Sequence, residues 1–273
     1  MDNSLWIEKY RPLNIDKFCF HQPTLKNLKT LVQQEDFPHI IFYGPSGSGK
    51  RTLIKACLCA IYGVGSNKVK LKIKEFEYGV SSKVECAVVS SNYHFEVTPA
   101  EAGIHDKVII QKLIKDAASS MQLESEKQRS FKVVVLNDVD YLTKEAQAGL
   151  RRTMEKYMGN CRIFMNCENI SKVILPVRSR CLLIRVGLPT ETELHGLLQK
   201  IAQKECVMAS DDLLWRIAKE SNRNARRGIM LLQSMSFSRE KLNQSAILPI
   251  PESELKVREI VTDILREQTP KKY

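Results

Sequence analysis

Apolar residues fall along this chain in short unbroken runs, separated by stretches with helical spacing. "HIIFYG" (39–44) predicts a strand buried on both faces, running into a glycine-rich loop. "TLIKACLCAIYG" (52–63) predicts a helix that stops at a glycine. Residues 64–86 are mixed and basic, and "EYGVSSK" suggests a hairpin with Gly79 in its turn. "CAVVSSNYHFEV" (86–97) reads as a second strand, followed by a helix from about Ile104 to Met121. "FKVVVLNDVD" (131–140) is a third strand, ending in acids. "TKEAQAGLRRTMEKYM" (143–158) is a helix with Thr143 at its cap. "CRIFMNC" (161–167) and "CLLIRVG" (181–187) are the last two strands.

Past "LPTETE" the pattern becomes purely helical, with segments at 191–205, 210–222 and 224–236 and a final one at about 252–268. Strands alternating with helices predict an α/β fold built on a parallel five-stranded sheet flanked by helices. A small three-helix unit follows it. The chain then divides into 1–187, 188–240 and 241–273.

Composition narrows the class. The 273 residues are 43% hydrophobic and 27% charged, as expected of a globular chain. Lys and Arg outnumber Asp and Glu by 42 to 31, a formal charge of +11. That balance favours a polyanionic partner, nucleic acid first, or acidic surfaces of partner chains. "MDNSLWIEKYRP" has an acid at residue 2 and no apolar core of a secretory signal. No run reaches the roughly 18 apolar residues of a membrane span. The eight cysteines show neither CxxC pairs nor zinc spacing, so reduced thiols and no structural metal are expected.

"GPSGSGKRT" (44–52) carries the chemistry. Gly44, Gly49 and Lys50 satisfy the G-x-x-x-x-G-K pattern, and the strand before and helix after give it the right setting. In such a loop, formed here by Gly44, Pro45, Ser46, Gly47, Ser48 and Gly49, the glycines let backbone N–H groups surround phosphate oxygens, and Lys50 reaches the outer phosphates. ATP or ADP is the expected ligand. The position after the lysine, where a Ser or Thr hydroxyl would hold Mg²⁺, is Arg51, which has donors only. Thr52 stands about 100° further round the helix. At the end of the third strand, where an Asp and then a Glu would serve the metal and the attacking water, stand Asn137 and Asp138. Nucleotide binding is therefore expected to persist, with Mg²⁺ weakly held, no metal ligand assigned from the chain, and hydrolysis weak or absent.

"WIEKYRP" (6–12), "FPHIIFYGPSGSGK" (37–50), "AQAGLRRTMEKY" (146–157) and "SRC" (179–181) together resemble the small subunits of replication factor C, the eukaryotic clamp loader of the AAA+ class. The likeness spans nearly the whole chain. The Arg51 replacement, the altered acids and the segment 64–86 resemble the subunit-3 type. The resemblance implies an AAA+ domain, then a lid, then a linker helix leading to a collar that is absent before Tyr273. It implies a hetero-pentamer that places the sliding clamp (PCNA) on primer–template DNA in replication and repair, in the nucleus, with no membrane role. It puts Tyr10, Arg11 and Pro12 beside the adenine, and Glu168 at a position usually held by Asn, where Arg51 would compensate its charge. Arg226 would reach the phosphates from the lid. Arg180 would be an arginine finger acting on a neighbour's nucleotide. Lys107, Lys112 and Arg151 would meet the DNA backbone, and the clamp would dock on the face bearing residues 56–75. A related checkpoint or alternative clamp loader, or a self-sufficient ATPase, are the competing readings.

Overall fold

The computed structural model describes residues 4–34, 36–78, 82–119, 131–237, 248–249 and 251–266. The chain opens with α1 (Trp6–Lys9) and α2 (Gln22–Gln33), then β1 (His39–Tyr43) and α3 (Lys50–Tyr62). A hairpin follows, β2 (Lys70–Tyr78) and β3 (Ser82–Ser90), then β4 (His94–Val97) and α4 (Asp106–Ser119). β5 (Lys132–Leu136), α5 (Lys144–Lys156), β6 (Cys161–Cys167), the short α6 (Leu175–Arg178) and β7 (Cys181–Arg185) complete the sheet. The helices α7 (Glu191–Lys204), α8 (Asp211–Glu220) and α9 (Ala225–Phe237) come next, then α10 (Glu252–Arg266).

The expected parallel core is present, in the order β4-β5-β6-β1-β7. The sheet is nonetheless seven-stranded among the described residues, because β2 and β3 add an antiparallel hairpin at the β4 edge. Gly79, expected in the hairpin turn, lies outside the described residues. The single strand expected at 86–97 is two strands. Ser91 ends the first of them: its Oγ accepts from the backbone N–H of Tyr93 (3.1 Å) and of His94 (3.0 Å). A hydroxyl that satisfies two N–H groups makes a turn inside a run that otherwise reads as continuous.

Two apolar layers sandwich the sheet. Ile40 and Phe42 face one way, with Val133, Val135 and Phe164, and pack on α2 and α3. Ile41 faces the other way, with Val134, Leu136, Ile163 and Met165, and packs on α4 and α5. This alternation follows from the two-residue period of a strand. The central β6 is buried along its whole length. The edge strand β7 is not, since Leu182 and Leu183 are exposed. A third cluster joins α7, α8 and α9 around Leu194, Leu198, Leu213, Ile217 and Leu232. Trp6 of α1 packs into it and donates its backbone N–H to Gln233 Oε1 at 3.0 Å. Thr190 and Glu193 form a reciprocal cap at the start of α7, and Ser210 caps α8. No helix among the described residues is long and apolar enough to cross a membrane. The eight cysteines are free, with five buried, Cys19 and Cys181 partly buried and Cys206 exposed.

Candidate nucleotide site

The loop between β1 and α3 leaves the C-terminal end of the parallel strands, where β1 lies between β6 and β7. Open α/β sheets bind ligands at this end. The glycines are needed for shape. Gly44, Gly47 and Gly49 have φ of +150°, +73° and +94°, conformations that suit glycine alone or best. A Cβ on Gly44 would sit 2.0 Å from the carbonyl oxygen of Val186, and one on Gly47 would sit 1.8 Å from Asn224 Oδ1. Asn224 immediately precedes the lid helix α9, its Oδ1 accepting the Arg227 N–H at 3.1 Å. The lid therefore rests directly on the loop. Phe20 supports Gly49 from below, packed edge-on against His21, whose Nε2 lies 3.3 Å from the Ser48 carbonyl oxygen.

A cavity of about 890 Å³ opens over this loop. Of the expected binding residues, Tyr10, Arg11, Pro12, Ser46, Gly47, Gly49, Lys50, Arg51, Thr52, Asp138, Glu168 and Arg226 line it. Gly44, Pro45, Ser48 and Asn137 do not. Gly44 is turned onto Val186, and Ser48 is fully buried with an unpartnered Oγ. Lys50 is buried and donates to the carbonyl oxygens of Gly44 (2.7 Å) and Pro45 (2.9 Å). Burial lowers its pKa from the usual lysine value, while Glu168 foremost, with Cys167, Asp138 and Asp140, favours the charged form. A lysine aimed into a glycine cradle suits the phosphate chain of a nucleotide, and Tyr10, Pro12 and Ile229 offer apolar wall for a base. Tyr10 is fixed by donating its hydroxyl to Glu205 at 2.6 Å.

The metal end is different. Arg51 Nη2 donates to Asp138 Oδ2 at 2.9 Å, so the partner of Arg51 is Asp138 and not the expected Glu168. Asp138 adopts a left-handed conformation, with φ +53°, and its N–H is held by Asn166 Oδ1 at 3.1 Å. A short polar residue tolerates that geometry, and here it accompanies a carboxylate paired with α3. Asn137 is buried. Its amide donates to Glu96 Oε1 at 3.0 Å and its Oδ1 accepts from Asn166. The Thr52 hydroxyl accepts from Arg11 Nη1 at 3.0 Å, and Arg11 is in turn clasped by Glu8. Residue 51 is thus a cation, and Asn137, Asp138 and the nearby Thr52 are each engaged by protein, so the residues do not fit the ion.

Arg180 sits elsewhere. It immediately precedes β7, where Cys181 pairs with His39 at the start of β1, at the end of the sheet opposite the phosphate loop. Its Nε and Nη2 reach Glu155 Oε1 at 2.7 and 2.6 Å, and Nη1 donates to the Pro176 carbonyl oxygen at 2.8 Å. The Arg180 hydrogen bond holds the Glu155 carboxyl below the usual carboxylate range. Lys107 lies on α4 with its stem across Gly149 of α5, two residues before Arg151, so these two basic groups share one crossing. Arg151 also pairs with Glu155, at 3.4 Å. Lys112 is turned away from them and donates to the Glu77 carbonyl oxygen on β2. Sequence reasoning passed over Asn166, Asn224 and Phe20, three residues that shape the loop.

Residues 20–189 match the family described as "DNA polymerase III, delta subunit", and residues 196–237 match "RCF1/5-like, AAA+ ATPase lid domain". "Replication factor C subunit 5" of Oryza sativa is 41% identical over 98% of this chain and 77% of its own length. The chain belongs to the replication factor C family. "Replication factor C subunit 3" of Homo sapiens is 40% identical over 98% of this chain and 76% of its own length. "Probable replication factor C subunit 3" of Dictyostelium discoideum is 43% identical over 97% and 77%. The fold is that of AAA+ proteins: the chain resembles the Thermotoga maritima RuvB Holliday junction branch migration motor with a TM-score of 0.62, at 16% identity, over 94% of this chain and 80% of that one. As a replication factor C chain it is an AAA+, nucleotide-binding subunit of a multi-subunit clamp loader, working with other replication factor C subunits in DNA replication.

Proposed function

We propose that this subunit binds ATP or ADP in the cavity over Lys50, turns it over slowly or not at all, and supplies Arg180 to the nucleotide of a neighbouring subunit. The assembly loads the sliding clamp (PCNA) onto primer–template DNA in the nucleus, during replication and repair. Within the chain, 1–187 is the nucleotide-binding domain, 188–240 the lid and 241–273 the linker helix. Lys107 and Arg151, at the α4–α5 crossing, track the DNA backbone, and Lys112 contributes less because it is turned to Glu77. Such phosphate contacts are independent of sequence, as a loader requires. One observation carries the reading: the catalytic end of this cavity is closed on itself by Arg51 and Asp138, while Arg180 lies at the other end of the sheet, out of reach of its own cavity. A clamp-loading experiment tests it. Complexes reconstituted with and without this chain are given labelled clamp and primed DNA. Loading is expected only when the chain is present, and equal loading without it contradicts the proposal.

A further inference from the structure

The donor atoms around Lys50 disagree with the divalent cation that AAA+ proteins generally bind with their nucleotide. The positions that would serve the ion are 51, 137 and 138, and the nearby Thr52 hydroxyl is engaged as well. Residue 51 is an arginine, which offers no lone pair and cannot be neutralised in a protein. The Thr52 oxygen accepts from Arg11, and the Asn137 oxygen accepts from Asn166 inside the core. Asp138 is held through Oδ2 by the guanidinium itself. A metal ion placed on Asp138 would have to displace that guanidinium, or stand beside it against like charge.

We propose that this chain binds its nucleotide without a divalent cation, the Arg51 guanidinium taking the cation's electrostatic role on the phosphate chain. The inference rests on the reading of the cavity as a nucleotide site and specifies the form of the ligand. Arg51 stands in the first turn of α3, at a helix N-terminus that already favours anions. It lines the cavity beside Lys50, and a planar guanidinium matches phosphate oxygens with paired donors. Its bond to Asp138 is half exposed, at 45% and 34% of the two side chains, so phosphate oxygens can replace the carboxylate at little cost. Asp138 then becomes the group that competes with phosphate, and Arg226 faces the same cavity from the lid.

Isothermal titration of the whole chain with ATP and with ADP, in excess EDTA and in excess MgCl₂, tests this. The two buffers should give dissociation constants within about threefold of each other. Arg51→Ala should weaken binding about tenfold or more in both buffers, as the loss of a charge-assisted contact does, and Arg51→Lys should restore most of it while staying insensitive to EDTA. Thermal unfolding of each variant separates lost binding from lost folding. Binding that falls tenfold or more in EDTA overturns the metal-free form alone. Unchanged affinity in a folded Arg51→Ala overturns the role of Arg51. Absence of binding in both buffers overturns the nucleotide-site reading itself, and this inference with it.

Discussion

The sheet carries an arginine near each of its ends, and the two are held in different ways. At the C-terminal end, Arg51 bonds to Asp138 within the cavity, so cation and carboxylate that would otherwise address a ligand address each other. At the opposite end, Arg180 bonds to Glu155 and the Pro176 carbonyl oxygen on the outer surface. Both pairs are partly solvated and can be exchanged for phosphate. They differ in what lies within reach. Arg51 can meet only a ligand of its own cavity, whereas Arg180 can meet only something brought by another molecule. In the proposed reading the same side chain would serve binding in cis at one end and a neighbour at the other.

Breaking the backbone of the cavity end should have the largest effect. Gly44→Ala puts a Cβ 2.0 Å from a backbone carbonyl oxygen that cannot move aside, in a conformation closed to alanine. A loss above about 3 kcal/mol is expected in chemical denaturation. The Arg180 end has no such dependence, so Arg180→Ala should leave stability nearly unchanged.

Acid should probe the opposite end next. His39 begins β1, buried, with Nδ1 accepting the Ile163 N–H at 3.1 Å, and burial pushes its pKa down to about 4. The unfolded imidazole protonates near 6.5, so between about pH 6.5 and 4 the unfolded state binds the extra proton. Stability should therefore fall as the pH drops through that window, by up to about 3 kcal/mol from this residue. His94, also pushed down to about 4, adds to the same slope. Denaturation curves at several pH values check this, and His39→Gln should flatten the slope.

Lys50→Ala sharpens the cavity side. It removes the buried ammonium but no backbone shape, and nucleotide affinity by titration should fall about 10- to 100-fold. The smallest effect should lie at the α4–α5 crossing. Lys107→Ala should weaken DNA binding of the assembled complex uniformly across sequences and flatten the slope of log affinity against log salt by about one unit.

The sequence made β1, the loop and α3 readable because glycine and lysine spacing is set by local backbone geometry. The five parallel strands were readable from continuous apolar runs. The split of 86–97 was not, because it turns on one hydroxyl, that of Ser91, capping two N–H groups. The partner of Arg51 was hidden for a different reason. It lies 87 residues away and depends on the left-handed turn at Asp138. Asn166 escaped notice because it stands in a buried strand, where a polar residue reads as filler until its contacts to Asn137 and Asp138 are known. Asn224 touches the loop only because the lid folds back on it.

ATP turnover by the reconstituted complex, with Arg180→Ala and Lys50→Ala introduced separately into this chain, tests the division between the two ends most directly. Arg180→Ala should lower turnover at the neighbouring site it faces by about 10³-fold, the scale of an arginine finger, and leave nucleotide binding by the isolated chain intact. Lys50→Ala should weaken binding here about 10- to 100-fold and change turnover at that neighbouring site far less. Unchanged turnover with Arg180→Ala, or turnover by the isolated chain that Lys50→Ala removes, would contradict the account.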